Sequence, residues 1–157
     1  MQKPNGKVIF SASLLLLIGV IYLAAQADAL FSIGSTTVKG DTIQLSKNEV
    51  LSHLRSIVTI VLCLAGGILL LKIKQTGWII SQSMVLLLLT IASGVYLTNY
   101  GELMALPFLF GAMLLLLTAF IFLLQKQTRQ KFMVGRNSYL AVIIIFAILV
   151  VLYFFLQ

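Results

Sequence analysis

Charge is what this sequence lacks most: Asp, Glu, Lys and Arg make up 10% of its 157 residues, whereas 61% are hydrophobic. A soluble domain usually carries about 25% charged residues. So few charges cannot cover a surface that faces water, so lipid must be the main solvent. Lipid requires the backbone to satisfy its own hydrogen bonds, which favours helices. We therefore expect an all-α integral membrane protein that contacts the lipid bilayer.

Cysteine and histidine are also scarce, which narrows the possible chemistry. The single cysteine, Cys63, excludes an intramolecular disulfide and a dithiol relay. The single histidine, His53, cannot form a bis-histidine haem site within one chain, and it lies about 15 Å from Cys63 along a helix. The sequence contains no HExxH, CxxC or phosphate-cradling glycine loop. It therefore predicts no catalytic set, no metal site and no cofactor.

Long apolar runs predict five transmembrane helices within a single domain covering 1–157. Each run is close to the 20 residues that span a bilayer. The expected spans are 8–27, 54–71, 78–99, 103–124 and 139–157. The first run also has features of a signal peptide, with a basic start and small-residue triplets in 25–29 that suit cleavage. Cleavage would leave four spans; the retained helix is favoured because the apolar stretch 8–23 is long for a signal.

The connections between the runs suggest local structure. The polar loop 29–48 contains β-branched stretches at 36–38 and 42–45 around Lys39-Gly40-Asp41, which predicts either a small hairpin or a disordered connector. Ser46 and Glu49 have capping-box spacing at the start of the second helix. A turn is expected at 75–77, with Trp78 as an interface anchor at the start of the third span.

Basic residues in 125–137, which is expected to be a cytoplasmic loop, predict how the chain is oriented. This segment holds Lys126, Arg129, Lys131 and Arg136 and no acid. With the N-terminus in the cytoplasm and the C-terminus outside, eight Lys or Arg lie inside and three outside, which accounts for all 11 in the chain. We expect the segment to contact anionic lipid headgroups or a cytoplasmic partner. Nucleic acid is not expected, because the basic residues sit beside apolar runs.

Small and polar residues recur along one face of the second span. Thr59, Cys63 and Gly66 lie three or four residues apart, as do Thr90 and Gly94 in the third span, where Ser83 lies on a similar face. This spacing predicts close packing of these two helices. An alternative is that Ser56, Thr59 and Cys63 line a path for a solute. A separate polar site is expected at the outer face, formed by Glu49, His53 and Arg55, with Glu49 and His53 in i,i+4 contact.

These observations favour a small non-catalytic subunit or accessory protein that binds other membrane proteins or copies of itself. No ionisable residue lies deep within the expected spans, as proton-coupled carriers normally require. Short loops and Lys-rich ends suggest a bacterial inner membrane. Two other hypotheses remain open: a transporter or channel, and a membrane enzyme that uses Glu49, His53 or Glu102 at the outer face.

Overall fold

The computed structural model describes residues 4–37, 47–98 and 106–155, and most of these residues are helical. The elements are α1 (Gly6–Thr37), α2 (Lys47–Leu71), α3 (Gln75–Thr98), α4 (Leu106–Leu124), the short α5 (Lys126–Lys131) and α6 (Arg136–Phe155). Five of them contain stretches long and apolar enough to cross a membrane: Gly6–Ala29, Val50–Leu71, Gln75–Thr98, Pro107–Leu124 and Arg136–Phe155. The predicted helical membrane bundle is thereby confirmed, and five candidate spans indicate a multi-pass membrane protein.

Helix α1 is longer than the sequence predicts. It continues to Thr37, through the first part of the expected polar loop 29–48. Thr36 and Thr37 are therefore helical, and their assignment to a hairpin strand is wrong. Extending a formed helix adds a hydrogen bond for each residue ordered, so a helix can absorb β-branched residues at its end. The rest of the expected hairpin and Ser46 of the capping box lie outside the described residues.

The turn between α2 and α3 lies before the predicted position at 75–77. It is formed by Lys72–Lys74, where the amide of Ile73 donates to the carbonyl of Leu70 (3.0 Å) and that of Lys74 to the carbonyl of Leu69 (3.1 Å). These two bonds form a Schellman motif, which requires a left-handed residue after the helix. Ile73 takes that conformation with φ of 51°. Residues Gln75 and Gly77 belong to the first turn of α3 instead.

Helix α3 is at the centre of the bundle, and it contacts α2, α4 and α6. Helix α2 lies between α1 and α3. Two adjacent glycines of α2 face these two neighbours. A Cβ atom on Gly66 would lie 2.9 Å from the Ser81 hydroxyl of α3. A Cβ atom on Gly67 would lie 2.7 Å from the Leu16 side chain of α1. The absence of side chains at both positions lets three helices approach closely in lipid.

The closest approach is at Gly77, where the α2–α3 turn folds back on itself. A Cβ atom there would lie 2.4 Å from the carbonyl carbon of Leu69, a backbone atom that cannot turn aside. We expect Gly77→Ala to lower stability by roughly 1–3 kcal/mol, as overpacking does. Thermal unfolding in detergent micelles would measure this. Gly111→Ala is the matched control, since nothing lies within 4 Å of its Cβ position; equal midpoints for the two variants would contradict the fold at this turn.

A second Schellman motif closes α5, and its left-handed residue is exposed. Met133 has φ of 51° and is 84% exposed, so its side chain contributes little to the core. A left-handed conformation costs a residue with a Cβ atom about 1–2 kcal/mol. Met133→Gly should relieve this cost, although glycine also raises the entropy of the unfolded chain, which opposes the gain. We expect a net increase in the free energy of unfolding of up to ~1 kcal/mol. Met133→Ala, which keeps the Cβ atom, should give no such gain; a gain of equal size in thermal unfolding would refute the explanation.

Candidate functional site

One end of the bundle gathers basic residues, and we call it the basic end. It is formed by Lys7, Lys72, Lys74, Lys126, Arg129, Lys131 and Arg136, and none of the described acidic residues lies there. Polar contacts hold the helix termini together at this end. The ammonium group of Lys7 donates to the Gln125 side chain. The side-chain amide of Gln75 donates from Nε2 to the Ser138 hydroxyl at 2.7 Å and to the Met133 carbonyl at 3.4 Å.

The basic segment 125–137 is folded rather than being the loop that the sequence suggests. Its first part forms α5, and Thr128 and Phe132 are buried against the bundle. The Arg129 guanidinium donates from Nη1 to the Tyr139 hydroxyl at 2.6 Å, which ties α5 to α6. The expectation of a loop is wrong. Phe132 gives the segment an apolar side, and this side packs against the bundle. The basic residues are thereby presented on a fixed surface.

Two open grooves flank α5 at the basic end. One, of about 480 Å³, is lined by Asn5, Gln127, Gln130 and Lys131. The other, of about 350 Å³, is lined by Lys126, Arg129, Gln130, Met133 and Val134. Within the described structure, Arg129 Nε and the Thr128 hydroxyl are buried without a hydrogen-bond partner. Cationic and amide groups around an open groove suit a phosphate or carboxylate.

Trp78 does not anchor the chain at the lipid interface as the sequence predicts. It is fully buried, and its indole Nε1 donates to the Leu123 carbonyl at 2.9 Å. Its ring also packs edge-to-face on Tyr139, with centroids 5.5 Å apart. The last carbonyls of α4 have no donors within their own helix, and Leu123 is one of them. The indole satisfies this carbonyl, which is why Trp78 turns inward.

Two serines join helices in the same way. The Ser11 hydroxyl of α1 lies 3.4 Å from the Ala119 carbonyl of α4. The Ser83 hydroxyl of α3 lies 3.2 Å from the Val142 carbonyl of α6. Each hydroxyl also contacts a carbonyl one turn back in its own helix. Sequence reasoning missed Ser11 and placed Ser83 on the face towards α2, since a lone serine does not reveal which neighbour it reaches.

The residues of the expected α2–α3 interface are divided among several neighbours. Gly66 meets α3 at Ser81, but Cys63 faces Gly19 of α1, whose Cβ position lies 3.3 Å from the Cys63 Cβ atom. Thr59 is buried, and its hydroxyl donates to the Arg55 carbonyl of its own helix at 3.0 Å. The α3 residues expected to meet α2 do not do so.

Thr90 and Gly94 lie on a different side of α3. Thr90 is exposed, and nothing lies within 4 Å of a Cβ atom placed on Gly94. Both line a groove shared with α6. Gly77, Ile80 and Ser81 of α3 contact α2 near the turn that joins the two helices, whereas the Cβ position of Gly94 has no such neighbour. The spacing of small residues correctly groups Thr90 with Gly94 but does not reveal the partner helix.

Polar residues at the opposite end connect helices as well. His53 Nδ1 pairs with the side-chain amide of Gln26 in α1. The side chain of Glu49, the expected partner of His53, is outside what the structure describes, as is Glu102. The Arg55 guanidinium lies over the Tyr153 ring of α6, 4.7 Å from its centroid. His53 and Arg55 thus reach different helices and do not face a common site.

Gln82 is a buried polar residue that sequence reasoning missed, although a glutamine within an apolar run is visible in the sequence. It is 2% exposed, and neither its Oε1 atom nor the adjacent Ser81 hydroxyl has a hydrogen-bond partner among the described residues. A buried polar group of this kind commonly binds a water molecule. Gln82 lies one helical turn beyond Trp78, so it shares the side of α3 that meets α4.

Neither metal chemistry nor a known relative identifies the site. Among the described residues, no group of three His, Cys, Asp or Glu side chains could hold a metal ion. No family model, curated protein or solved structure matches the chain. Its chemistry must be inferred from its own residues.

The single tryptophan makes the burial of Trp78 measurable. We expect its fluorescence to resist quenching by aqueous acrylamide and by lipids with brominated chains, because protein surrounds the indole on all sides. A matched control moves the reporter to Phe108, which is 83% exposed, by combining Trp78→Phe with Phe108→Trp. Brominated lipid should quench the control strongly. Equal quenching of the two proteins would show that Trp78 is exposed to lipid and would contradict its burial.

Proposed function

We propose that this protein is a small non-catalytic subunit or accessory protein of a membrane, which acts by binding other membrane components. Its basic end lies in the cytoplasm, and with five spans retained the C-terminus lies outside. The placement of cations follows the positive-inside rule. A bacterial inner membrane is the proposed location.

The use of polar groups within the bundle carries this proposal. The Trp78 indole donates to a carbonyl of another helix, and the Ser11 and Ser83 hydroxyls each lie between a carbonyl of their own helix and one of a neighbouring helix. A catalytic centre instead gathers titratable side chains around a pocket. The polar interactions described in the bundle therefore support a structural and binding role.

The basic end offers the surface for such binding. Helix α5 presents Lys126 and Lys131 on a folded support, and Arg136 begins α6 beside it. Juxtamembrane cations attract anionic headgroups, at about 1 kcal/mol for each Lys or Arg near the surface. The two grooves that flank α5 provide concave surfaces in which such an anionic group could bind. Together they support contact with a headgroup or with an acidic segment of a partner protein.

The transport alternative receives less support from the same region. Hydroxyls of the expected lining are engaged within α2, since Ser56 donates to the Ser52 carbonyl and Thr59 to the Arg55 carbonyl. Cys63 is buried against α1. The cavity that Thr59 lines has a volume of about 20 Å³, close to that of one water molecule. These residues are arranged for helix packing, so we favour the accessory role.

The test is the composition of the particle extracted from native membranes in polymer nanodiscs. We expect a particle that contains a second protein at fixed stoichiometry, or several copies of this 17.3 kDa chain. The combined variant Lys126→Gln, Lys131→Gln and Arg136→Gln should lower that association severalfold, because it removes the cations around α5. Lys72→Gln with Lys74→Gln is the control, since it removes cations from the same end but from another turn.

Two results would contradict the proposal. One is a particle that contains a single chain and lipid only. The other is solute flux through the purified chain in proteoliposomes that Thr59→Leu abolishes, which would establish transport instead.

A further inference from the structure

A cleft opens between α3 and α6 at the end of the bundle opposite the basic end. Its floor is formed by Leu87, Ile91 and Gly94 of α3, and its wall by Val150, Tyr153 and Phe154 of α6. Its volume is about 340 Å³. Nothing fills the space above Gly94, whose Cβ position has no neighbour within 4 Å. We refer to this space as the α3–α6 cleft.

The shape of the α3–α6 cleft matches one leaflet of a bilayer. It extends along α3 from Leu87 to Thr98, which at 1.5 Å per residue is about 16 Å. Half of a typical hydrocarbon core is about 15 Å. The hydroxyls of Thr90 and Thr98 bond to carbonyls of their own helix, so they leave no unmet polar group in the cleft. An apolar chain of leaflet length fits this lining.

A cation lies beside the cleft. Tyr153 and Leu87 also line a smaller cavity together with Arg55 of α2, so the guanidinium adjoins the cleft through these two residues. Arg55 lies over the Tyr153 ring, 4.7 Å from its centroid, and a guanidinium in such a contact can still donate N–H groups to an anion. Among the described side chains no carboxylate pairs with Arg55. An arginine within a membrane span requires an anion or water at its head, because burying an isolated charge in lipid is costly.

We propose that the α3–α6 cleft is a binding site for one anionic glycerophospholipid of the leaflet opposite the basic end. The phosphate lies beside Tyr153, where it accepts hydrogen bonds from the Arg55 guanidinium, and an acyl chain lies along the floor towards Leu87. The combination of a leaflet-length apolar cleft with a cation beside it selects this ligand over a hydrophobic helix, which carries no anion for Arg55. Tyr153 holds the guanidinium at the cleft and so acts as a positioning residue.

The test uses a tryptophan reporter within the cleft. Trp78→Phe removes the native tryptophan, and Phe154→Trp places the reporter on the cleft wall. Nanodiscs would contain brominated-chain phosphatidylglycerol in unlabelled phosphatidylcholine, or the reverse. We expect phosphatidylglycerol to occupy the reporter site with about fivefold preference over phosphatidylcholine. This preference corresponds to the attraction of about 1 kcal/mol that one arginine near the surface exerts on an anionic lipid.

Variants at Arg55 separate the charge from the fold. Arg55→Gln should abolish the preference for phosphatidylglycerol, so that the two lipids quench the reporter about equally. Arg55→Lys should retain most of the preference, because the positive charge attracts the phosphate. Arg136→Gln is the control, since it removes a cation at the basic end and should leave the preference unchanged. Equal quenching by the two lipids in the parent, or an undiminished preference in Arg55→Gln, would overturn the proposal.

Variants at glycines separate the cleft from the general lipid surface. Gly94→Leu should fill the floor and lower quenching of the reporter by both lipids at least twofold. Gly111→Leu adds the same side chain at an equally open position on α4 and should have no effect. Thermal unfolding of each variant verifies that the bundle is intact, and Arg55→Lys tests the charge without a change in fold. Unchanged quenching in Gly94→Leu would place the acyl chain outside the cleft and overturn the site.

Discussion

Lipid offers no hydrogen bonds, and this constraint determines how the helices are joined. A carbonyl at the end of a helix must find a donor within the protein if it lies away from water. The Leu123 carbonyl near the end of α4 finds one in the indole of Trp78 on α3. The hydroxyls of Ser11 and Ser83 are shared between a carbonyl of their own helix and a carbonyl of α4 or α6. Contacts of this kind help to determine which helices are neighbours.

Close packing complements these bonds, because lipid tails exert no hydrophobic force that would press helices together. Helix α2 achieves contact on two sides through Gly66 and Gly67, which meet Ser81 of α3 and Leu16 of α1. Helix α6 is joined to α3 near the basic end, where Tyr139 packs on Trp78 and the Ser83 hydroxyl reaches the Val142 carbonyl. Towards the other end of α6 the contact described is that of Arg55 with Tyr153, and the α3–α6 cleft opens there.

The five spans could be predicted from the sequence because length and hydropathy determine them locally. The partner of each helix face could not, because periodicity shows which residues share a face but not which helix that face meets. Thr90 and Gly94 were grouped correctly and assigned to the wrong neighbour. Trp78 looked like an interface anchor because its position beside Lys74 suggests the membrane surface, yet the carbonyl that draws it inward belongs to a residue 45 positions away. The fold of α5 depends similarly on Phe132 finding the bundle.

The two ends of the bundle are built by different means. At the basic end, side chains of the chain itself join the helix termini, as Lys7 does with Gln125 and Gln75 with Ser138. At the opposite end, Gln26 and His53 join α1 to α2, but α6 is held by Arg55 through a ring contact that leaves the cleft open. An empty gap of this size loses dispersion contacts on both of its walls, which favours filling by lipid chains. The basic end, by contrast, is held by side chains of the protein itself.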